Sequence, residues 1–521
     1  MRLHDFLDYR AREHGEAAFA VQGDRHITYH AAQAVANRLA NALVDSGLQP
    51  GDRLAILSKN SIEYMLLYFA SSKAGLVTIP LNYRLASAEW SYILNDAEAK
   101  VLFAAGNYLQ DVETIRSELK SIEKFIAIDG ASAGWEEYQG LITDQPETPP
   151  VRKVTSQDDL FQLYTSGTTG HPKGAVLTHQ SVTTHILQMA LVHNVQPGER
   201  LLLVAPVFHV AGLNAGAFPC LSAGGCLYIQ ADFKPDEVVR ALSDEHIGIA
   251  ILVPAMIQAC LTAVPDVAQR RYDDLRLIHY GASPIAEATL RRAMEAFKCE
   301  FSQGYGMTEM SAAIAVLSWA DHQRALREKP ELLIAAGRPV LGTEVRIVDA
   351  NDNPVPNGTI GEVLTRGIQM MKGYWKQPEA TAKALRGGWM HTGDAGILDD
   401  EGYLYIQDRV KDMVVSGGEN IYPRVVEEVL FKHPAVAEVA VIGVPDEQWG
   451  ETIKAVVVLR SGMAATEEEI IDFCQGKLGG FERPRSVDFV DSLPRTPSGK
   501  VLKRVLREPY WAGQSRHVAG A

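Results

Sequence analysis

The chain has 521 residues, 46% of them hydrophobic and 22% charged, more than one ordinary core accommodates, so one large body plus a smaller domain is expected. Lys and Arg total 50 against 64 Asp and Glu, a formal charge of −14, which argues against a protein that neutralises nucleic-acid phosphates over a broad face. Cys220, Cys226, Cys260, Cys299 and Cys474 are scattered without CxxC spacing, which speaks against a zinc site or disulfide framework and suits reduced thiols in the cytosol.

The stretch 1–19 mixes acids and bases and lacks the apolar run of a secretory signal, so a cytoplasmic protein is expected. From Asp5 to about Gln230, helical patterns such as 28–46 and 61–73 alternate with short apolar strands such as 53–57 and 101–105. That alternation predicts α/β architecture. A second set follows, with strands at 249–253 and 275–280 and a helix over 285–297 that opens after Ser283-Pro284 with proline in its first turn. The most membrane-like stretch, 247–264, is interrupted by Pro254 and Gln258, which predicts a buried strand over 247–253 and then a packed helix.

After Gly337 the texture changes to short β segments divided by turns, at 344–348, 362–366 and 403–406. This predicts a small β-rich subdomain or barrel. Beyond Asp408, helices at 423–431 and 467–477 and strands at 436–444, 452–459 and 486–489 make a compact α+β unit. The expected fold is therefore α/β: a large N-terminal domain of two α/β subdomains plus a small β subdomain, followed by a mobile C-terminal α+β domain. The boundary falls at Arg409 to Asp412, giving domains 1–410 and 411–521.

The strongest local signal is Leu163-Tyr164-Thr165-Ser166-Gly167-Thr168-Thr169-Gly170-His171-Pro172-Lys173-Gly174. Glycines let backbone N–H groups approach anionic oxygens, hydroxyls donate more hydrogen bonds and Lys173 adds a positive charge, so such a loop can surround phosphate. It is not a Walker A loop, because the GxxxxGK[ST] spacing is absent. Further along stand Gly304-Tyr305-Gly306-Met307-Thr308-Glu309, Trp389-Met390-His391-Thr392-Gly393-Asp394, Asp408-Arg409-Val410-Lys411-Asp412, Ser416-Gly417-Gly418-Glu419-Asn420 and Pro494 to Lys500.

In these motifs, and in their order over nearly its whole length, the chain resembles the adenylate-forming superfamily of acyl-CoA synthetases, peptide-synthetase adenylation domains and luciferases. The resemblance implies an ATP-dependent acid–thiol ligase that makes an acyl-adenylate with Mg²⁺ and passes the acyl group to coenzyme A. In the ATP/AMP site it places Thr165, Ser166, Gly167, Thr168, Thr169, Gly170 and Lys173 around the phosphates, with Gly281-Ala282-Ser283 forming one wall for adenine. Gly304, Tyr305, Gly306 and Met307 form the other, the Tyr305 face meeting the purine. Thr308 can bond an α-phosphate oxygen, and Glu309 is a hard oxygen ligand for Mg²⁺. Asp394 can accept from both ribose hydroxyls, and Arg409 is similar to the family arginine that reaches ribose or phosphates. A lone turn aspartate is usually structural; the company of the other motifs selects this one.

By the same resemblance Lys500 is the catalytic lysine, stabilising negative charge that builds between carboxylate and pyrophosphate. Lys411 matches the hinge position, where a φ/ψ change rotates the C-terminal domain. Ser416, Gly417, Gly418 and Glu419 would then border a narrow pantetheine tunnel, and Trp449, Phe481 and Arg483 would contact the coenzyme A nucleotide. His209 matches a histidine at the mouth of the acyl site, acting as gate, acyl neighbour or core residue, with 210–213 and 310–314 lining the pocket. Small side chains there leave space for an alkyl chain or an aromatic ring, so a medium to long chain fatty acid is expected, with an aryl or cinnamic acid as the alternative. A stand-alone enzyme that loads a carrier protein is the nearest rival, and a non-catalytic nucleotide-binding protein on the same fold is a different class altogether. The expected partners are the acid and coenzyme A, with no nucleic acid, at most a peripheral membrane contact and a homodimer entertained. The segment Pro494 to Lys500 also resembles the pattern acylated in related bacterial ligases, which brings in a protein acetyltransferase acting on Lys500; acetylation would remove its charge.

Overall fold

The computed structural model describes residues 1–165, 172–283, 285–409, 412–416, 419–495 and 501–512, with the backbone alone at 409, 419 and 420. Among these residues the strands form four sheets.

Two large sheets build the bulk of the chain. In one, the parallel strands Arg200–Leu203, Ile247–Leu252, Leu277–Gly281 and Glu300–Met307 sit side by side, and Ala312–Leu317 turns back antiparallel beside the last. In the other, Val77–Pro80, Arg53–Leu57, Ala99–Ala104 and Lys124–Ala127 run parallel. Its opposite edge is the antiparallel pair Asp159–Thr165 and Lys173–Thr178, continued by Gly373–Tyr374. Strands buried on both faces read as continuous apolar runs, as in Ile247–Leu252, every residue of which is buried.

The predicted helices begin where their caps are. Thr28 Oγ1 accepts from Ala31 N–H at 3.2 Å ahead of Tyr29–Asp45, and Ser61 Oγ accepts from Tyr64 N–H at 3.1 Å ahead of Ile62–Ala74. The stretch suspected of membrane character is the strand Ile247–Leu252 and the helix Pro254–Ala263. No described helix is long and apolar enough to cross a membrane. All five cysteines are buried and free.

Some elements differ from expectation. The helix predicted over 285–297 is Glu287–Phe297, because Ala286 is extended and caps it; Pro284 lies outside the described residues. The helix predicted over 467–477 stops at Phe473, and Gly476 follows in the left-handed region at φ +71°. The β-rich unit is an open antiparallel sheet of Glu344–Val348, Gly361–Arg366, Met390–Leu398 and Leu404–Arg409 among the described residues, rather than a closed barrel. Beyond residue 412, Val436–Asp446 and Gly450–Leu459 pair antiparallel and Ser486–Phe489 joins parallel, around a core that includes Val441, Ile453 and Ile470.

Four histidines of the first large sheet's surroundings, His185, His193, His279 and His322, are buried. Burial lowers His185, His279 and His322 from the usual 6.5 to about 4. Between those two values the unfolded chain binds more protons than the folded one, so the stability these neutral rings allow is full above pH 6.5 and declines as pH falls toward 4. Thermal unfolding at pH 7.5 and pH 5.0 is expected to give a clearly lower midpoint at the acid pH, at most about 1.4 kcal/mol per histidine per pH unit; equal midpoints contradict this assignment.

Candidate functional site

The strand Glu300–Met307 carries the segment from Gly304 to Met307 and runs straight into the 3₁₀ turn Thr308–Met310. Gly281 and Gly304 are register partners on adjacent strands, and a Cβ on Gly281 would stand 2.3 Å from the Gly304 carbonyl oxygen. A Cβ on Gly306 would stand 1.7 Å from the Ala312 carbonyl oxygen. The small residues here are therefore demanded by backbone approach, not only by a ligand. Ala282 (φ +66°) and Ser311 (φ +61°) sit in the left-handed region on either side of this strand, each a local cost of roughly 1–3 kcal/mol that clusters at functional sites.

Tyr305 donates its hydroxyl hydrogen bond to Asp394 Oδ2 at 2.6 Å. Asp394 lies within the strand Met390–Leu398, not in a tight turn. The turn-like sequence Thr392-Gly393 instead makes a bulge: Gly393 has φ +69°, and the register with Gly361–Arg366 shifts between Glu362 and Leu364. Thr392 Oγ1 donates to Val363 O at 2.7 Å and accepts from Asp394 N–H at 3.1 Å, which fixes the carboxylate's direction.

Glu309, 7% exposed, accepts from the Tyr374 hydroxyl at 2.8 Å through Oε1. Among the described residues only Tyr374 is seen to donate to this side chain, so the largely buried Glu309 keeps carboxylate oxygen capacity fit for a hard cation. Burial first, and the Glu309 carboxylate second, raise the Tyr374 hydroxyl's pKa and keep it a donor. Tyr374 pairs with the strand Lys173–Thr178, and Lys173 Nζ lies 5.4 Å from the centre of its ring. Met371 N–H donates to the Glu309 carbonyl at 2.7 Å, Lys372 N–H to Val176 O at 2.9 Å and Trp375 N–H to Gly174 O at 2.8 Å. Thus 371–375 stitches the Thr308-Glu309 turn of one large sheet to the lysine-bearing strand of the other. Tyr374 escaped the sequence reading because nothing in Lys372-Gly373-Tyr374-Trp375 advertises chemistry; an aromatic there reads as packing.

His209 is half-buried, its ring 4.5 Å from that of Phe208. The short helix Val210–Gly212 follows and widens into a π turn, Leu213–Ala217, all of it buried. Such turns are frequent at functional sites, and no sequence period announced this one. Asn214 Nδ2 donates to Ser311 O at 2.8 Å, so 210–217 and 311–313 do meet. Ala312 and Ala313 pack with Met189, Ala215, Val316 and Val340, whereas Met310 and Ile314 enter the main core.

Thr165 ends one strand and Lys173 begins the next, their Cα atoms paired; Ser166, Gly167, Thr168, Thr169 and Gly170 lie outside the described residues, as do Lys411, Gly417, Gly418 and Lys500, and the side chains of Arg409 and Glu419. Ser416 is half-buried, Ser283 and Arg483 likewise, and Trp449 and Phe481 are exposed. Around the 409–412 boundary the sequence reading missed a charged network. Asp408 Oδ2 accepts from Arg424 N–H at 2.9 Å and lies 3.7 Å from Lys503 Nζ, which is 2.8 Å from Glu427; Arg507 pairs with Asp412 at 2.8 Å.

The crowding at Gly306 has a measurable consequence. Gly306→Ala is expected to cost roughly 1–3 kcal/mol by forcing two strands apart, read as a fall of several degrees in the unfolding midpoint, whereas Gly140→Ala, in the helix Tyr138–Ile142 with open space beside it, is expected to be neutral or slightly stabilising.

The whole chain has counterparts among known proteins. A fatty acid–[acyl-carrier-protein] ligase of Streptomyces coeruleorubidus is 38% identical, over 95% of this chain and 93% of its own. A long-chain-fatty-acid–CoA ligase of Mycobacterium tuberculosis is 38% identical, over 94% of each. The crystal structure of ATP-bound MatB from Rhodopseudomonas palustris superposes with a TM-score of 0.88 at 30% identity, covering 98% of this chain and 99% of that one. Residues 7–375 match the AMP-binding enzyme family and residues 425–500 its C-terminal domain, and the chain belongs to the AMP-binding enzymes.

Proposed function

We propose that the chain is an acid–thiol ligase that activates a carboxylic acid with ATP and transfers the acyl group to coenzyme A. The observation that carries this reading is the convergence, at the junction of the two large sheets, of Tyr305 bonded to Asp394 and Glu309 bonded to Tyr374 beside Lys173. In the first step a carboxylate oxygen of the acid attacks the α-phosphorus of ATP and the bond to pyrophosphate breaks, giving acyl-AMP. In the second the thiol sulfur attacks the acyl carbon, losing its proton, and AMP leaves.

The roles follow from chemistry and position. Tyr305 offers the purine a ring face, backed by Gly281, Ala282 and Ser283, and Asp394 takes the ribose hydroxyls. Thr308 donates to the α-phosphate, and Lys173 with Thr165 and 166–170 holds the outer phosphates. Glu309 would hold Mg²⁺, whose contribution is to screen phosphate charge. Lys500 supplies positive charge in the first step, in keeping with the match of 425–500 to the family's C-terminal domain. Lys411 serves as the hinge between domains 1–410 and 411–521, after which Ser416, Gly417, Gly418 and Glu419 face the thiol's arm and Trp449, Phe481 and Arg483 its nucleotide. Domain closure shelters the adenylate from water.

The acid is a medium to long chain fatty acid in the first reading, in keeping with the fatty-acid ligases at 38% identity. The second reading, an aryl acid, is favoured by the glycine and alanine side of the pocket at 304–313. One of those relatives is named for a carrier-protein acceptor, so the acceptor is part of the test. Release of AMP and pyrophosphate is measured across C2 to C18 and aryl acids, with and without coenzyme A, with Lys500→Ala as control. Turnover that needs coenzyme A and is lost in Lys500→Ala supports the ligase. Adenylate formation with no acyl-CoA points to a protein acceptor, and no pyrophosphate with any acid defeats the reading.

A further expectation concerns Tyr374. Tyr374→Phe keeps the ring beneath Lys173 and removes one hydrogen bond to a carboxylate, worth about 1.5–3 kcal/mol. The kcat/KM for ATP should fall about tenfold or more and more Mg²⁺ should be needed for half-maximal rate, with the unfolding midpoint little changed; an unaltered Mg²⁺ dependence would separate Tyr374 from Glu309's role.

A further inference from the structure

Opposite the single residue Val363, the strand Met390–Leu398 carries three. The register pairs Glu362 with Ala395 and Leu364 with His391, so Thr392, Gly393 and Asp394 fall between them. Such a bulge re-aims a side chain and disrupts the ladder of hydrogen bonds around it, and the side chain re-aimed here is Asp394. Gly393 stands at φ +69° with open space where a Cβ would be, so this glycine answers to backbone conformation and not to crowding. Backbone groups that the ladder no longer pairs need other partners. Thr392 Oγ1 takes two of them, the Val363 carbonyl at 2.7 Å and Asp394 N–H at 3.1 Å. The third, Gly393 N–H, donates to Oε1 of Glu362 at 3.2 Å.

Glu362 is itself anchored. Its Oε2 lies 3.0 Å from His391 Nδ1 and 3.4 Å from Arg386 Nη2, and Arg386 bonds both oxygens of Asp352 at 2.8 Å. The Glu362 side chain is 21% exposed and that of His391 5%, so the contact is largely shielded from water. With one oxygen on the bulge and the other held from behind, the carboxylate has little freedom to turn. Asp352, Glu362 and His391 each offer a ligand atom within 4.8 Å of the others, a spacing that a metal ion would accept. The Arg386 guanidinium, however, already bonds two of the three and supplies the positive charge between them. The cluster is a clamp on the bulge.

We infer that Glu362 is a positioning residue for nucleotide recognition: by holding Gly393 N–H it sets the bulge, and through the bulge the place of the Asp394 carboxylate. The preference for a ribonucleotide over its 2′-deoxy analogue then depends on a side chain that touches neither the ribose nor the reacting atoms. This rests on the role proposed above for Asp394 and adds what keeps that carboxylate in place. Hydrogen bonds weaken steeply as their angle closes, so a carboxylate turned by a relaxed bulge loses the ribose hydroxyls. The phosphate contacts come from other elements and remain. A disturbed bulge therefore costs the ribonucleotide more than the deoxyribonucleotide.

The test is pyrophosphate release with one accepted acid and either ATP or 2′-deoxyATP. Wild-type kcat/KM should favour ATP roughly tenfold or more, since a site built to bond a hydroxyl rejects the analogue lacking it, and Asp394→Ala should bring the ratio close to one. Glu362→Leu cannot accept from Gly393 and should lower the ratio about fivefold, the loss of one hydrogen bond of ordinary net strength, chiefly through KM for ATP. Glu362→Asp, one methylene short of Gly393, should do the same and stands in for Glu362→Leu should that variant fail to fold, as unfolding midpoints will show. Glu362→Gln still presents an acceptor oxygen and should restore most of the preference. The inference alone is overturned if Asp394→Ala removes the preference while Glu362→Leu and Glu362→Asp keep it, or lower kcat/KM for both nucleotides alike, as a merely structural residue would. If wild type shows no preference, or Asp394→Ala retains it, the role given to Asp394 falls and this inference with it.

Discussion

The two large sheets are held together by one helix that has almost no solvent face. In Ile62–Ala74 every residue except Glu63 is buried. Its Phe69 ring meets Phe19 at 6.0 Å on the side of one sheet, and its Tyr68 ring meets Phe161 at 5.3 Å on a strand of the other. Tyr68 also donates its hydroxyl to the Val207 carbonyl at 2.8 Å, satisfying the polar tip of a fully buried ring. Packed interiors transmit small displacements, so this helix sets how far the lysine-bearing strand Lys173–Thr178 stands from the turn Thr308–Met310. The 2.8 Å contact between Tyr374 and Glu309 is where that spacing becomes chemical.

The periodic elements were legible in the sequence because local rules agreed there. Arg53–Leu57, Glu344–Val348 and Ser486–Phe489 have the bounds expected of them, and Thr28 and Ser61 cap the helices they precede. The candidate nucleotide residues were legible for another reason: Gly304 to Glu309 and Thr392 to Asp394 are short, contiguous and in a known order. What escaped was whatever depends on distant parts meeting. Tyr374 matters only because its strand lies beside Lys173 and its hydroxyl reaches Glu309. The Asp394 turn failed as a local prediction because Gly393's left-handed backbone is spent on a bulge within a strand rather than on reversing the chain.

The acidic surface hides basic groups used in specific places. Lys503 is drawn between Glu427 and Asp408, and those carboxylates raise its pKa against the opposing effect of burial. Asp408 lies in the last strand of the β subdomain, Leu404–Arg409, while Glu427 also accepts from Val441 N–H at 2.7 Å within the following unit. The charges flanking the boundary are therefore shared across it. Because such a pair is partly shielded from water, its strength depends on geometry more than on salt.

The π turn at Leu213–Ala217 has a consequence for how this pocket can vary. A π turn is an α-helix carrying one more residue than its hydrogen bonding needs, and each residue of helix turns the chain by about 100°. Just after it Phe218 stacks on Phe161 at 6.1 Å with rings 6° from parallel. Removing the extra residue restores a regular helix but rotates Phe218 off its partner. The widened turn is thus locked in phase with the core, so the number of residues at 213–217 is held fixed by the partner that Phe218 must meet.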